Sequence, residues 1–593
     1  MDVTSLVIGF SGLLAVADKA LLVAQLISDI RYFGEDTTEI LFQLANESQK
    51  IHSAIVHVAH HHDQLEAGNV QIEPESSQLV DEVRKRLNAA FTRLQFAFDD
   101  AEKILEKYGL LGWDTQTGKA APVCLQEGIL RPLAMLGLKE GSLGLGSVLE
   151  HKKRIAAVQH HMSLKKRVKF SVKPWSTPDK TMLQDAISRM KYWNAEVGSM
   201  LSAAEKRQIR NYTGCQIMAT TDNADALVIV QSHSVEEDPD LQASAALGHK
   251  RIQIEEESEL RTEYPIHASP YFKDWNLCEF NLTNVGQHDL VYLVDNPNQA
   301  LNVATTARET AIVDWVNCSE LTTAQKALAL SRVEQLCQLL EFANKPGKLR
   351  TLSCLGYIED IVRNRKKRDR KIQNFRPSLS ERYRLARRLT QTFMELHKVR
   401  WYHKGFDSSK ILFFCSKSST DPLPIVSFEE SHVFGFELSR PWGRENISLP
   451  VTLTPGFDLY CHPDLRIDHP TNDDTSERPA VPRFKAAYDI YSLSATLLEI
   501  GLWQPLKKLI PTQAGSSRDV QETLVGIAEQ NLAHTMGVKY CDAVVKGLRW
   551  AEESELGNGY MSQTNDEASV AMLDVQRLFW DIVKPLEECA CGT

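Results

Sequence analysis

The segment 57–63 groups histidines at spacings that could bind a metal ion. His57, His60, His61 and His62 stand beside Asp63, and their i, i+3 and i, i+4 spacings on a helix could serve a zinc ion. No cysteine or further histidine lies nearby to complete the ligand set. We therefore favour the alternative, a helix that ends here with cationic side chains on its last carbonyls.

A second group of polar side chains lies in the loop 401–412, whose sequence is Trp-Tyr-His-Lys-Gly-Phe-Asp-Ser-Ser-Lys-Ile-Leu. It resembles the catalytic loop of protein kinases, H-R-D-L-x-x-x-N-I-L, with His403 in register. In that family the Asp accepts the substrate hydroxyl proton and the Asn holds Mg²⁺. Gly405 and Lys410 stand at these two positions, and neither side chain offers an acceptor. The resemblance therefore implies a kinase-like loop without its catalytic groups.

Two later segments follow in the order that kinases have. Gly435, Phe436 and Glu437 stand in the place of Asp-Phe-Gly, so the metal-binding carboxylate is missing from its position. Tyr488–Leu493 resembles the start of kinase helix F. The resemblance implies that Asp489 in this helix holds the backbone of the catalytic loop, which is a structural role.

The region expected to form the smaller kinase lobe, 206–375, matches the pattern less well and has no Gly-rich phosphate loop. Leu227–Gln231 predicts a strand that would put Gln231 where kinases keep a phosphate-pairing lysine. Ser331–Phe342 predicts the following helix, with Glu334 in the pairing role. Because this glutamate would have no lysine partner, we favour a solvated side chain.

Helices must position these groups, and apolar residues at helical spacing predict them. The predicted helices are Phe42–Ala59, Val80–Leu105, Thr177–Leu201 and Ser380–His397. The third has a clear start, because Thr177 can cap it, Pro178 suits the first helical position and Asp179 adds a negative charge to the first turn. Strand patterns are nearly absent before residue 210, so a helical bundle follows.

The composition limits the class of protein. A chain of 593 residues is too long for one hydrophobic core and predicts three or four folding units. Its net charge of −10 argues against nucleic acid as a partner. The 11 cysteines include no C-x-x-C pair, which favours reduced thiols in a cytosolic protein.

The N-terminus is unusually apolar. Residues 3–17 carry no charge, but Asp18 and Lys19 interrupt the run before it reaches the roughly 20 residues of a membrane span. No basic segment precedes it, as a secretory signal would need. The pattern predicts a buried bundle helix, and burial leaves open a later release into a bilayer. The candidate membrane-contacting residues cover most of the helix circumference: Leu6, Val7, Ile8, Phe10, Leu13, Leu14 and Val16.

A basic stretch, 152–169, contains Lys152, Lys153, Arg154 and four further cations between apolar residues. It reads as a solvated helix face, which we favour. The alternative is contact with anionic lipid headgroups, at about 1 kcal/mol per basic residue near the surface.

The N-terminal 205 residues resemble fungal HeLo domains, also called prion-inhibition and propagation domains. The opening Met1–Leu13, the run Ile30–Asp36 and the segment Tyr192–Asn194 carry this resemblance. The pairing with a kinase-like region is similar to that of the mixed lineage kinase domain-like pseudokinase. Both families imply a helical bundle that attacks membranes when a regulatory domain releases it. No Asn/Gln-rich tail follows residue 560, so amyloid templating is not the expected trigger.

These features together predict a multidomain protein with an N-terminal all-α bundle, 1–205, and an α+β kinase-like fold. The latter divides into a degenerate N-lobe, 206–375, and a C-lobe, 376–593. We expect a non-catalytic regulator or effector of fungal heterokaryon incompatibility or cell death, cytoplasmic and recruited to the plasma membrane. The expected partners are anionic lipids, other copies of the bundle and an upstream protein activator. No cofactor, metal or nucleic acid is expected.

Two alternatives from other classes stay open. The first is an active atypical Ser/Thr kinase that uses Asp407 or Glu437 as a displaced carboxylate. The second is an inert interaction scaffold, whose N-terminal helix is only part of a core; Leu13→Asp would then unfold the bundle without a separate membrane phenotype.

Overall fold

The fold is described from a computed structural model. It describes residues 35–66, 86, 89–90, 93–94, 96–101, 103–105, 176–221, 224–233, 238–260, 278–285, 288–293, 309–313, 322–355, 377–416, 425–436, 438–441, 459–465, 484–510, 517–550, 574–575 and 577–591. The chain forms two compact units. Unit 1 comprises residues 1–239 and 568–576, and unit 2 comprises residues 240–567 and 577–593.

Unit 1 is helical throughout its described part. Its helices are α1 (Glu35–Glu66), α2 (Thr177–Ser199), α3 (Ala203–Thr220) and α4 (Ala224–His233), and the described residues between 86 and 105 are helical as well. The predicted helices at 42–59, 80–105 and 177–201 are confirmed where residues are described. One detail is wrong: Ser176, not Thr177, caps α2, because Thr177 already lies inside the helix. The Ser176 hydroxyl accepts a hydrogen bond from the Asp179 N–H.

The described helices of unit 1 bury apolar residues and are tied by polar contacts. In α1 the fully buried residues include Leu41, Leu44 and Ile51, and in α2 Leu183 and Met190. This spacing puts them on single faces, as a bundle requires.

Two long-range bonds add specificity to this packing. The Asn194 amide of α2 donates to the buried Glu47 carboxylate of α1 at 2.6 Å. Arg189 of α2 pairs with Asp100 at 2.9 Å. The Tyr192–Asn194 segment that resembles HeLo domains therefore contributes a buried contact between helices.

Unit 2 begins with α5 (Pro239–Leu260), which belongs to it from Asp240 onward, and a three-stranded antiparallel sheet. The strands β1 (Cys278–Val285), β2 (His288–Leu293) and β3 (Glu309–Val313) follow the chain order, with Leu290 opposite both Asn281 and Ile312. Helix α6 (Thr323–Glu341) comes next.

The rest of unit 2 combines short strand pairs with helices. Its elements are α7 (Leu379–Lys398), β4 (Trp401–Tyr402), β5 (Ile411–Ser416), β6 (Ile425–Val433), β7 (Arg440–Pro441), α8 (Ala486–Leu502), α9 (Leu506–Leu509), α10 (Ser517–Met536), α11 (Val538–Leu548) and α12 (Lys584–Cys591). β4 pairs with β7 and β5 pairs with β6, both antiparallel. The predicted helix 380–397 is confirmed as α7, which a reciprocal Ser378–Glu381 capping box starts.

Helix α8 forms the core of unit 2. Every residue from Ala486 to Gly501 is buried, which agrees with its apolar sequence on all sides. Tyr540 of α11 donates to the Leu497 carbonyl at 2.8 Å, and Arg382 of α7 donates to the Gly501 carbonyl at 2.6 Å. Packing from several sides fixes α8, and with it the aspartate that it carries.

Three predictions for residues 206–375 need comment. The strand expected at Leu227–Gln231 is wrong, because these residues lie inside α4. The helix expected at Ser331–Phe342 is confirmed in α6. The predicted boundary at 205 falls inside α3, and α3 and α4 group with the N-terminal unit.

Candidate functional site

The loop 401–412 lies between two strand pairs of unit 2. β4 opens it and pairs with β7 through Trp401 and Pro441, while β5 closes it and pairs with β6. Arg400 and Lys404 adopt positive φ angles of 55° and 66°. These left-handed conformations are uncommon for residues with side chains, so surrounding contacts must hold the loop.

Asp489 of α8 supplies such contacts. Its carboxylate accepts hydrogen bonds from the backbone N–H groups of His403 at 2.8 Å and Lys404 at 2.7 Å. The aspartate is fully buried, and hydrogen bonds to an ionised acceptor are the stronger kind. Asp489 therefore makes the backbone contacts that the kinase resemblance implied for it.

His403 packs as a core residue. Its ring lies 4.5 Å from the Phe436 ring and 6.0 Å from the Phe393 ring, measured between centroids. Its Nε2 is 3.0 Å from the Phe434 carbonyl oxygen. Burial lowers the pKa of His403, so the neutral ring is favoured and links the loop to the segment after β6.

The position of the kinase proton acceptor is covered by an apolar side chain. A Cβ atom added to Gly405 would stand 3.3 Å from Leu438 Cδ1. An aspartate at this position would therefore need Leu438 to shift by a few tenths of an ångström. The loop has no carboxylate here, and an apolar side chain limits the space beside its backbone.

The two positions that hold metal in kinases lie against each other. Lys410 packs its side chain over Gly435, whose φ is 78°, and a Cβ added to this glycine would lie 2.8 Å from Lys410 Nζ. Carboxylate and amide oxygens are usual magnesium ligands. Here an ammonium group occupies the space beside a residue without a side chain, so neither position offers an oxygen ligand from its side chain.

Asp407 and Glu437 are the two carboxylates considered as substitutes for the missing catalytic groups. Asp407 caps the short 3₁₀ turn Ser408–Lys410, and its Oδ1 accepts the Ser409 N–H at 2.7 Å. This bond gives the aspartate a local structural role. Glu437 lies outside the described residues.

Sequence reasoning missed a group of cations around the loop. Lys404 is 5% exposed, and its Nζ makes no hydrogen bond to the described part of the chain. Burial first, then the charges of Arg440 and Arg332, lower the pKa of Lys404 to about 7, while Asp489 opposes the shift. Burial and Arg440 likewise lower the pKa of Arg332 to about 10. Only Lys404 lies in the loop, so no local pattern could reveal this group.

The predictions for the phosphate-pairing lysine position of kinases and for its glutamate partner differ from the structure. Gln231 lies in α4, so it does not take the place of the lysine. The strand that precedes α6 is β3, whose sequence Glu-Thr-Ala-Ile-Val contains no lysine. The expectation of a solvated Glu334 is wrong, since this residue of α6 is 4% exposed.

The histidine segment lies in α1, which continues past His62 to Glu66 and has no basic residue in its last turn. The predicted helix end at these histidines is therefore wrong, and their side chains lie outside the described residues. In the described part of the chain no group of three or more His, Cys, Asp or Glu residues could hold a metal ion.

The candidate membrane residues Leu6, Val7, Ile8, Phe10, Leu13, Leu14 and Val16 and the basic stretch 152–169 lie outside the described residues. Among the helices that are described, none is both long enough and apolar enough to span a bilayer.

Comparisons with known families divide the chain in two. Residues 5–229 match the HeLo family model, described as prion-inhibition and propagation. Residues 313–590 match a model described as a domain of unknown function (DUF7580). No curated protein and no solved structure matches the chain. The HeLo match ends inside α4 and so agrees with the assignment of α3 to the N-terminal unit.

Proposed function

We propose that this protein is a non-catalytic regulator or effector of fungal incompatibility or cell-death type. In this proposal the HeLo domain acts on membranes, and a kinase-like unit that has lost phosphoryl transfer restrains it. The HeLo match at 5–229, with its description as prion-inhibition and propagation, supports the biological setting.

The loss of phosphoryl transfer rests above all on one contact, the packing of the Lys410 side chain over Gly435. Phosphoryl transfer depends on Mg²⁺ ions that bridge the phosphates, and two side chains of the kinase loop region hold them. A cation in this space repels a divalent metal ion. Gly405, covered by Leu438, adds the loss of the proton acceptor.

The order of elements supports a kinase-like fold for unit 2. An antiparallel meander, β1 to β3, precedes α6, as expected for a small lobe followed by its helix. The loop 401–412 then follows α7, and Asp489 of the buried α8 holds its backbone at 2.8 and 2.7 Å. A scaffold that keeps this structural aspartate while lacking the catalytic groups suits regulation better than catalysis.

The membrane part of the proposal rests on sequence. The apolar segment that contains Leu6, Phe10 and Leu13 would insert into a bilayer, and the basic stretch 152–169 would meet anionic headgroups. Self-association of the bundle would amplify this step. An upstream protein activator would act on unit 2, and the protein would move from the cytoplasm to the plasma membrane.

Dye release from anionic liposomes tests the restraint. A protease site introduced between residues 234 and 237 separates most of the HeLo unit from unit 2, and the same protein without protease is its control. We expect leakage after cleavage and none before it. If the cleaved protein keeps its helical circular dichroism but causes no leakage, the HeLo domain is not a membrane effector. If leakage is equal before and after cleavage, unit 2 does not restrain it.

A radioactive phosphate-transfer assay with Mg²⁺ and ATP tests the lost catalysis. We expect no transfer above a blank without protein. Transfer that disappears in the Asp407→Ala variant would contradict the proposal and support the atypical kinase instead.

A further inference from the structure

Two cysteine thiols of unit 2 lie next to each other. Cys337 is on α6, and Cys354 follows the residues that lead from α6 towards β6; their Sγ atoms are 3.3 Å apart. Neither forms a disulfide bond in the structure. A disulfide bond requires about 2.05 Å between the sulfurs, so small side-chain rotations would bring them to bonding distance.

The two thiols differ in accessibility. Cys337 is 1% exposed, whereas Cys354 is partly exposed. The contact with Cys354 and burial both raise the pKa of the Cys337 thiol, so Cys337 stays protonated. An oxidant from solution therefore meets Cys354 first, and Cys337 is placed to react second.

A cation stands near the accessible thiol. Lys345 donates hydrogen bonds from Nζ to the carbonyl oxygens of Leu340 at 2.7 Å and Leu352 at 3.4 Å. The second bond places the ammonium group at the carbonyl of the residue two positions before Cys354. Burial lowers the pKa of Lys345, and the charge of Cys354 opposes this shift. An ammonium group beside a cysteine favours the thiolate, which is the reactive form.

The surroundings favour redox chemistry over metal binding. Among the described residues no further His, Cys, Asp or Glu completes a metal-ligand group with these two thiols. Paired cysteines of intracellular proteins, when they form disulfides, usually do so transiently in catalysis or redox sensing.

We propose that Cys337 and Cys354 are a reversible dithiol–disulfide pair that a hydroperoxide oxidises. The Cys354 thiolate attacks one oxygen of hydrogen peroxide, and the O–O bond breaks. Cys354 becomes a sulfenic acid, and the departing hydroxide takes up a proton to give one water. The Cys337 thiol then attacks the sulfenic sulfur, and the hydroxyl leaves with the thiol proton as a second water. Two thiols are thereby oxidised to one disulfide, while one peroxide is reduced to two waters.

The bond would connect α6 to the segment beside the loop described above. Residues 350 and 351 of this segment contact the end of β6, because the Val433 N–H donates to the Arg350 carbonyl at 2.7 Å and Thr351 bridges to Val433. The next residue, Phe434, provides the carbonyl oxygen that His403 contacts. Oxidation would thus fix α6 relative to the backbone that supports the loop.

Peptide mapping of the full-length protein tests the pair. Reduced protein is titrated with hydrogen peroxide, the remaining thiols are alkylated, and trypsin separates the two cysteines by cleavage at Lys348 and Arg350. We expect a disulfide-linked pair of peptides that contain Cys337 and Cys354 and that dithiothreitol separates. Cys541 is the matched control, a buried thiol that donates to the Ala528 carbonyl at 3.4 Å, and it should remain fully alkylatable after denaturation.

Single variants test the order of the two steps. In Cys337→Ser the reaction should stop at a sulfenic acid on Cys354, which dimedone labels, and in Cys354→Ser peroxide should leave Cys337 as a thiol. The proposal is wrong if both wild-type cysteines are alkylated as fully after peroxide as before. It is also wrong if either pairs with other cysteines as often as with its neighbour. Circular dichroism of each variant checks that the fold is retained.

Discussion

The carboxylate of Asp489 offers the sharpest test of how the loop is held. In Asp489→Asn one oxygen becomes an NH₂ group of nearly the same size. The carboxylate accepts the N–H groups of His403 and Lys404 on separate oxygens, at 2.8 and 2.7 Å. In the variant, whichever way the amide turns, one backbone N–H faces another donor and stays buried without an acceptor.

The expected cost follows from these two bonds. A hydrogen bond to a charged group contributes about 1.5–3 kcal/mol, and a buried donor left without an acceptor costs about 1–3 kcal/mol. Removing the charge also removes a carboxylate that favours the charged form of Lys404. We therefore expect Asp489→Asn to lower the free energy of unfolding of unit 2 by about 3–5 kcal/mol, as for a broken buried charge pair.

Chemical denaturation measures this loss. Tryptophan fluorescence follows unfolding through the 10 tryptophans of the chain, among them the buried Trp401 of β4, and circular dichroism reports on the helices. Asp542→Asn is the matched control, because Asp542 is an exposed residue of α11, and it should change the unfolding free energy by less than about 0.5 kcal/mol. A loss below about 1 kcal/mol for Asp489→Asn would refute the view that this carboxylate holds the loop.

Three further predictions concern a buried lysine, a buried histidine and a glycine with a positive φ. Lys404→Met should raise the free energy of unfolding by about 4 kcal/mol at pH 7. The reason is that a lysine pKa lowered from 10.5 to about 7 penalises folding below pH 7, and this penalty fades as the pH rises to 10.5. Denaturation at several pH values measures the difference. His52 of α1 is fully buried, and burial lowers its pKa from 6.5 to about 4. The free energy of unfolding of unit 1 should therefore fall by about 3 kcal/mol as the pH falls from 6.5 to 4. His52→Leu should remove this loss in acid titrations followed by circular dichroism. Gly435→Ala should lower the free energy of unfolding by about 2 kcal/mol, because φ is 78° and the methyl group meets Lys410. In a Lys410→Ala background this loss should fall to about 1 kcal/mol, which a double-mutant cycle measures.

Each of these predictions has a result that contradicts it. A Lys404→Met difference that does not vary between pH 7 and 10.5 would mean that the lysine is not the titrating group. Equal acid sensitivity of wild-type and His52→Leu protein would assign the acid effect to other residues. An unchanged cost of Gly435→Ala in the Lys410→Ala background would leave the positive φ as its full cause.

Local patterns were sufficient for much of the fold. The apolar spacing that predicted α1, α2 and α7 works because the apolar residues at helical spacing lie in the buried part of each helix. The strand expected at 227–231 failed, since a short apolar run by itself does not distinguish a strand from a helical segment. Glu334 was misjudged for a related reason, because charge type alone does not report burial.

The sequence by itself determined which side-chain groups are absent at Gly405 and Lys410 of the loop and at Gly435 after β6, since these side chains can supply neither a proton acceptor nor a metal ligand whatever the fold. Only the tertiary structure decided what replaces them. It brings Lys410 onto Gly435, gathers Lys404 with Arg332 and Arg440, and sets Cys337 3.3 Å from Cys354. These groups lie between 17 and more than 100 residues apart in the chain, so their meeting depends on the tertiary packing of unit 2, which no local pattern contains.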